Sequence, residues 1–210
     1  MQWMLAIDTC GAEGAVALAQ LEGARATVLA QRTLPGRETQ ERLMSSVEEV
    51  LREASVIIAD VQVIAIATGP GSFTGVRIGI AAAKGFAEAL NIPLIAVSRL
   101  RMLAHRAGGT ANAWLDAGRG DVYVGEYQDG VCIHERMLTR AAAQARGGRI
   151  VVGEELLRDA GEWIGAPTIH DLVQLAANDT AAGKFADTAL LDANYLRIPD
   201  AELVLRARQP

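Results

Sequence analysis

One junction limits what this chain can fold into more than any other. The uncharged run Val61 to Ala67 passes into Thr68-Gly69-Pro70-Gly71-Ser72-Phe73-Thr74-Gly75-Val76-Arg77-Ile78-Gly79. A short apolar run without charge reads as a strand buried on both faces. Gly69, Pro70 and Gly71 break it, and Ser72 suits a helix N-cap, with the helix predicted to reach about Leu90. Arg77, Lys84 and Glu88 are the only charges on that helix. A helix apolar nearly all round is covered on more than one side. The unit is strand, tight turn and buried helix, the building block of an α/β layer.

A glycine-rich turn at a helix N-terminus aims backbone N–H groups outward and can hold an anion. Here no Lys-Ser or Lys-Thr follows the glycines, and the spacing is not G-x-G-x-x-G, so neither nucleotide loop is matched. A capped turn is the plainer reading, with Gly69, Gly71 and Ser72 kept as a candidate vestigial nucleotide site. Gly75, Gly79 and Ala83 recur every fourth position and form one stripe. Gly within a helix costs up to about 1 kcal/mol relative to Ala, tolerable where another helix packs closely. The preceding helix, from Thr39 to Ala54, carries a narrow apolar face. Together they predict a two-helix surface made by Leu43, Met44, Val47, Val50, Leu51, Gly75, Val76, Gly79, Ala83 and Phe86. The alternative is that the stripe packs on this chain's own sheet.

Charge narrows the function classes. The 210 residues carry a net charge of −5, with 20 Lys and Arg against 25 Asp and Glu, and only 4% aromatics. Gripping a phosphate backbone needs clustered cations, and stacking on bases needs aromatic platforms. The chain by itself offers neither. No apolar run reaches the roughly 20 residues of a membrane span. Met1-Gln2-Trp3-Met4 enters a strand pattern, unlike a signal peptide, and Cys10 and Cys132 form no C-x-x-C. Reduced thiols in the cytoplasm are the expectation.

Read in order, the chain repeats itself. Trp3–Thr9, Ala15–Gln20 and Ala26–Leu34 read as a three-strand meander, followed by the Thr39 helix, the Val61 strand, the Ser72 helix and the strand Leu94–Val97. Ser98 caps a short helix to about Arg106. After Gly108-Gly109 the plan returns: strands Ala113–Asp116, Val122–Tyr127 and Val131–Met137, a short helix Thr139–Arg146 and a strand Ile150–Val152. Helices are predicted around Glu154–Trp163 and after Asp171, over Leu172 to about Ala182. A repeated plan is read before any residue is assigned. Two similar α/β lobes, 1–105 and 106–210 with the second reduced, resemble the actin-like ATPase (ribonuclease H-like) fold. Asp8 and Asp116 end matching strands, where working members of that fold hold a metal. The plain alternative is that short acids bond nearby backbone N–H groups.

No classical catalytic set emerges. His105, His134 and His170 are scattered, and no H-x-x-x-H offers two imidazoles to a metal. His134 reads as a surface side chain. Cys10 has no base to activate it and reads as a small buried thiol.

Ile7-Asp8-Thr9, Thr39-Gln40, the run Gly69 to Gly79, Asp116-Ala117 with Val122-Tyr123, and Tyr195-Leu196-Arg197 resemble the bacterial TsaB (YeaZ) family. The resemblance runs from Leu5 to about Arg197. It implies an inactive actin-like relative of TsaD, the subunit that attaches threonylcarbamoyl to adenosine 37 of tRNA. It further implies a scaffold and activator with no metal site or cofactor of its own. ATP or ADP and metal would lie on partner subunits, the ATPase TsaE would join, tRNA would be met only through the complex, and a homodimer would use the helices that meet TsaD. Two departures stand out: Glu38 replaces the family's usual His before Thr-Gln, and the second lobe between Met137 and Ala193 is short. A nucleotide-dependent kinase of the same fold is the competing reading. It would need ATP held by Asp8, Asp116 and the Gly69 loop. A peptidase would need metal ligands or a triad that the sequence does not display.

Overall fold

Alternation and turns build two five-stranded sheets of the same design. The computed structural model describes residues 2–196; Arg197, part of the family-like pattern, lies outside them. The first sheet holds β1 (Gln2–Asp8), β2 (Glu13–Glu22), β3 (Arg25–Pro35), β4 (Val61–Ala67) and β5 (Leu94–Val97) in the order β3-β2-β1-β4-β5. The second holds β6 (Ala111–Gly118), β7 (Asp121–Gln128), β8 (Val131–Thr139), β9 (Ile150–Val152) and β10 (Glu162–Trp163) in the order β10-β9-β6-β7-β8. Read from the meander edge, the two orders coincide. In each, the first three strands are antiparallel and the last two run parallel to the first. This is the actin-like, ribonuclease H-like α/β fold with two similar lobes.

Helices α1 (Thr39–Glu53) and α2 (Phe73–Leu90) pack on the first sheet, as does α5 (Ile169–Ala181). Leu172, Val173, Leu175, Ala176 and Ala177 of α5 belong to the main core beside Ile7, Leu18 and Ile64. Helix α3 (Arg99–Ala107) lies instead on β6, β7 and β9, with Leu100, Leu103 and Ala104 packed on Ala113 and Leu115. Trp114, one position on, points to the other face, where Val122, Val124 and Ala143 of α4 (Arg140–Gln144) meet it. The lobes are therefore not the contiguous spans 1–105 and 106–210. The sheets divide there, but α3 and α5 each cross to the opposite sheet.

Two expected helices change. Glu154 to Trp163 forms a 3-10 turn, Glu155–Leu157, and the two-residue strand β10. Gly161 explains this change: a Cβ there would sit 2.6 Å from Ile150 O, so the backbone lies against β9 where a helix would not fit. Helix α5 begins at Ile169 rather than after Asp171. Thr168 is its cap: Asp171 N donates to Thr168 Oγ1 at 3.3 Å, and Thr168 N donates back to Asp171 Oδ2 at 2.7 Å.

Candidate functional site: the junction between the lobes

Asp8 ends β1 and is 5% exposed. Its Oδ1 accepts from Cys10 N at 2.8 Å, the local bond that short acids make at strand ends. Its Oδ2 faces Arg99 Nε at 3.8 Å, and both side chains are buried. Arg99 opens α3 and donates from Nη1 to Pro70 O at 3.1 Å. A Cβ added at Gly11 would lie 3.2 Å from its Nη2. The guanidinium thus fills the space among the end of β1, the first hairpin turn and the glycine loop. A buried carboxylate needs a countercharge, and the chain supplies its own.

The glycine loop is pressed against the same hairpin. Ser72 N donates to Cys10 O at 2.8 Å, and a Cβ at Gly71 would stand 2.2 Å from that oxygen. Gly69 has φ +94°, which favours glycine, and its carbonyl accepts from Arg99 N at 2.8 Å. Ser72 Oγ caps α2 by accepting from Gly75 N at 3.2 Å. The N–H groups of Ser72 and Gly75, which a phosphate cradle would offer, are directed at Cys10 O and Ser72 Oγ. Cys10 is buried, and its thiol donates to Ala67 O at 3.2 Å. Burial first, and then the Asp8 charge, push this thiol well above its usual range, so it is an inert core group.

From the second lobe, Asp116 is half-buried and its N–H donates to Glu154 Oε2 at 3.0 Å. Burial is the main cause raising the Glu154 carboxyl; the N–H donated by Asp116 and then the Arg99 charge oppose it, and the Asp116 charge adds a smaller rise. Asp8 thus pairs with Arg99 and Asp116 with Glu154, and Glu154 lies near enough to feel the Arg99 charge; sequence reasoning singled out neither Arg99 nor Glu154. One signal was present: Arg99 stands in the first turn of α3, where the helix dipole disfavours a cation. Among the described residues, no three His, Cys, Asp or Glu side chains gather as a metal site. His105, His134 and His170 are all exposed.

The predicted two-helix surface is corrected by packing. Leu43, Val47, Val50 and Leu51 of α1 and Val76 of α2 are buried in this chain's own core. A Cβ at Gly75 would lie 2.0 Å from Thr9 O, and one at Gly79 would lie 2.2 Å from Thr9 Oγ1 and 3.1 Å from Ile66 Cδ1. Ala83 has no exposure. The stripe is small because β1 and β4 come close, not because a second chain does. Of the predicted set, Met44 faces solvent and Phe86 partly does. Outward, α2 presents Phe73, Ala81, Gly85 and Ala89, a second small-residue line with open space at Gly85. Among the described residues, no helix is long and apolar enough to cross a membrane.

A repeated α/β lobe with its junction filled by protein side chains defines the class: a protein of the actin-like fold. The family described as TsaD, tRNA N6-adenosine threonylcarbamoyltransferase, matches residues 28–158. The tRNA threonylcarbamoyladenosine biosynthesis protein TsaB of Escherichia coli is 36% identical over 169 residues, 77% of this chain and 69% of that protein. TsaB of Bacillus subtilis is 39% identical over 129 residues, 60% of this chain and 55% of that protein. YeaZ from Pseudomonas aeruginosa superposes with a TM-score of 0.75 at 29% identity, covering 93% of this chain and 100% of that one. The chain belongs to the TsaB (YeaZ) family.

Proposed function

We propose that the chain is a non-catalytic scaffold and activator in the synthesis of N6-threonylcarbamoyladenosine at position 37 of tRNA. In this reading it binds the catalytic subunit TsaD, and the ATPase TsaE joins the complex. The observation that carries the reading is the buried Arg99–Asp8 pair, which occupies the interlobe junction where a working member of the fold would hold its charged ligand. The pair neutralises the acid at the end of β1 and ties it through Pro70 O to the glycine loop. The chain then needs no cofactor of its own; nucleotide and metal reside on the partner subunits, and tRNA is met through the complex in the cytoplasm. The outward face of α2, with Phe73, Ala81, Gly85 and Ala89 beside Met44 of α1, supports a helix-to-helix contact. TsaD or a second copy of this chain would compete for it.

The test combines pull-down and turnover. Tagged chain should retain untagged TsaD, and the chain alone with ATP, Mg²⁺ and labelled tRNA should give no turnover above a protein-free control. Loss of TsaD in the pull-down overturns the scaffold reading. Turnover by the isolated chain that disappears with Asp8→Ala would instead establish a nucleotide-dependent kinase.

A further inference from the structure

After α5 the chain returns to the first lobe. Ala186 N donates to Leu94 O and Asn194 N to Thr68 O, each at 2.8 Å. Between this returning segment and α2 runs a groove of about 350 Å³ with an apolar floor of Ile80, Ala81, Leu191 and Ala193. Arg77 and Lys84 line it, two helical turns or about 10 Å apart along α2. Arg77 Cζ sits 3.7 Å from the centre of the Phe73 ring and 5.6 Å from that of Tyr195, and its Nε donates to Tyr195 Oη at 2.6 Å. Both rings stand well exposed, Phe73 at 57% and Tyr195 at 45%, in a chain poor in aromatics.

This arrangement orients a guanidinium without neutralising it. The aromatic faces and the Tyr195 hydroxyl hold Arg77 from its Nε side. Among the described residues, neither Nη makes a hydrogen bond and no carboxylate pairs with it. Lys84 Nζ donates to Ala189 O at 3.3 Å and Leu191 O at 3.1 Å, which orders the ammonium while leaving its charge uncompensated. Asp192 also lines the groove, but its Oδ1 accepts from Ala193 N at 2.7 Å and it pairs with neither cation. Most other arginines that the fold orders, such as Arg32, Arg101, Arg106 and Arg149, meet carboxylates within the chain. A planar, preoriented guanidinium with free Nη groups is built for bidentate capture of a carboxylate.

We propose that this groove docks an acidic segment of a partner protein, one carboxylate on Arg77, a second toward Lys84, and an apolar side chain on the floor between them. An extended segment advances about 3.3 Å per residue and turns alternate side chains to one face, so acids at i and i+4 flank an apolar side chain at i+2 and span about 13 Å, enough to bracket the two cations. Two cations on a chain of net charge −5 are too few to follow a phosphate backbone, which favours a peptide over a nucleic acid. The groove flanks the outward line of α2, so the occupant belongs to TsaD on the reading above, and the inference rests on that reading.

The experiment is calorimetric titration of purified TsaD into the wild-type chain and into Arg77→Glu, Lys84→Glu and Arg77→Met, with thermal midpoints measured for each. Arg77→Glu should weaken binding by about tenfold or more, the loss of one charge-assisted contact, and should flatten the salt dependence. Lys84→Glu should weaken it less. Arg77→Met keeps an apolar stem against Phe73 and should weaken binding with an unchanged midpoint; it decides the matter if charge reversal disturbs folding. Wild-type affinity and salt dependence in the variants would overturn the groove while leaving the scaffold reading intact. Absence of binding by the wild-type chain would overturn both.

Discussion

The two lobes share a strand order and differ in what they place between the strands. After β3 the first lobe inserts α1 with 15 residues; after β8 the second inserts α4 with five. After β4 comes α2 with 18 residues; after β9 there is only a three-residue 3-10 turn. The helices that follow the last strands, α3 and α5, are the pair that both lobes retain, and each covers the sheet of the other. The difference teaches where the chain meets the rest of its world. The helices α3 and α5, common to both lobes, knit them together, and α2, which the second lobe replaces with a 3-10 turn, is free to present an outward surface.

The same contrast separates the two strand-end acids. Asp8 is buried with Arg99, whereas Asp116 is half-buried and gives its backbone N–H to Glu154. Arg99→Met should therefore cost about 3–5 kcal/mol in urea unfolding, the size seen when one member of a buried ion pair is removed. Asp116→Asn should cost less than about 1 kcal/mol. Equal losses would mean that the two lobes use their acids alike, and the asymmetry would fall.

A smaller effect sharpens the comparison between the two sides of α2. Gly79→Leu drives a side chain into Thr9 and Ile66 and should cost about 3 kcal/mol. Gly85→Leu meets open space and should raise stability by up to about 1 kcal/mol through helix propensity. It should nevertheless weaken TsaD retention by obstructing the outward line. If Gly79→Leu leaves the unfolding midpoint unchanged, the inner packing of the stripe is refuted.

The smallest effect concerns Glu154. Burial raises its carboxyl in the folded chain above the ordinary value of about 4.3, so the native state holds the proton more tightly than the unfolded chain. Between the unfolded and folded values stability falls as pH rises, and above the folded value the full cost persists. Glu154→Gln keeps an acceptor for Asp116 N without the charge. Urea midpoints from pH 4 to 7 should show a shallower fall and a modest gain at neutral pH. A slope identical to the wild type would show that Glu154 is not the group responsible.

Much of this was legible along the chain. The turn at Gly69 to Gly71, the cap at Ser72 and the repeat beginning near Ala113 all depend on neighbours within a few positions, and the structure has each of them. The orientation of α2 was missed although a signal was present: its only charges, Arg77, Lys84 and Glu88, fall on one face of the helix, opposite the line Gly75, Gly79 and Ala83. Arg99 was missed because a pair with Asp8 leaves no periodic trace. The helix expected at Glu154 failed because Gly161 must lie against Ile150, a constraint set from another strand.

The sequence by itself determined the α/β class, the doubled plan and the family, since local periodicity, turn residues and a long motif are properties of adjacent positions. Only the tertiary structure decided that α3 and α5 exchange sheets, that Asp8 is neutralised by Arg99, and that the glycine stripe faces inward. Those are matters of packing and charge compensation between segments far apart in the chain. Their free energy appears only when burial excludes water and leaves each charge or bare backbone to find its partner.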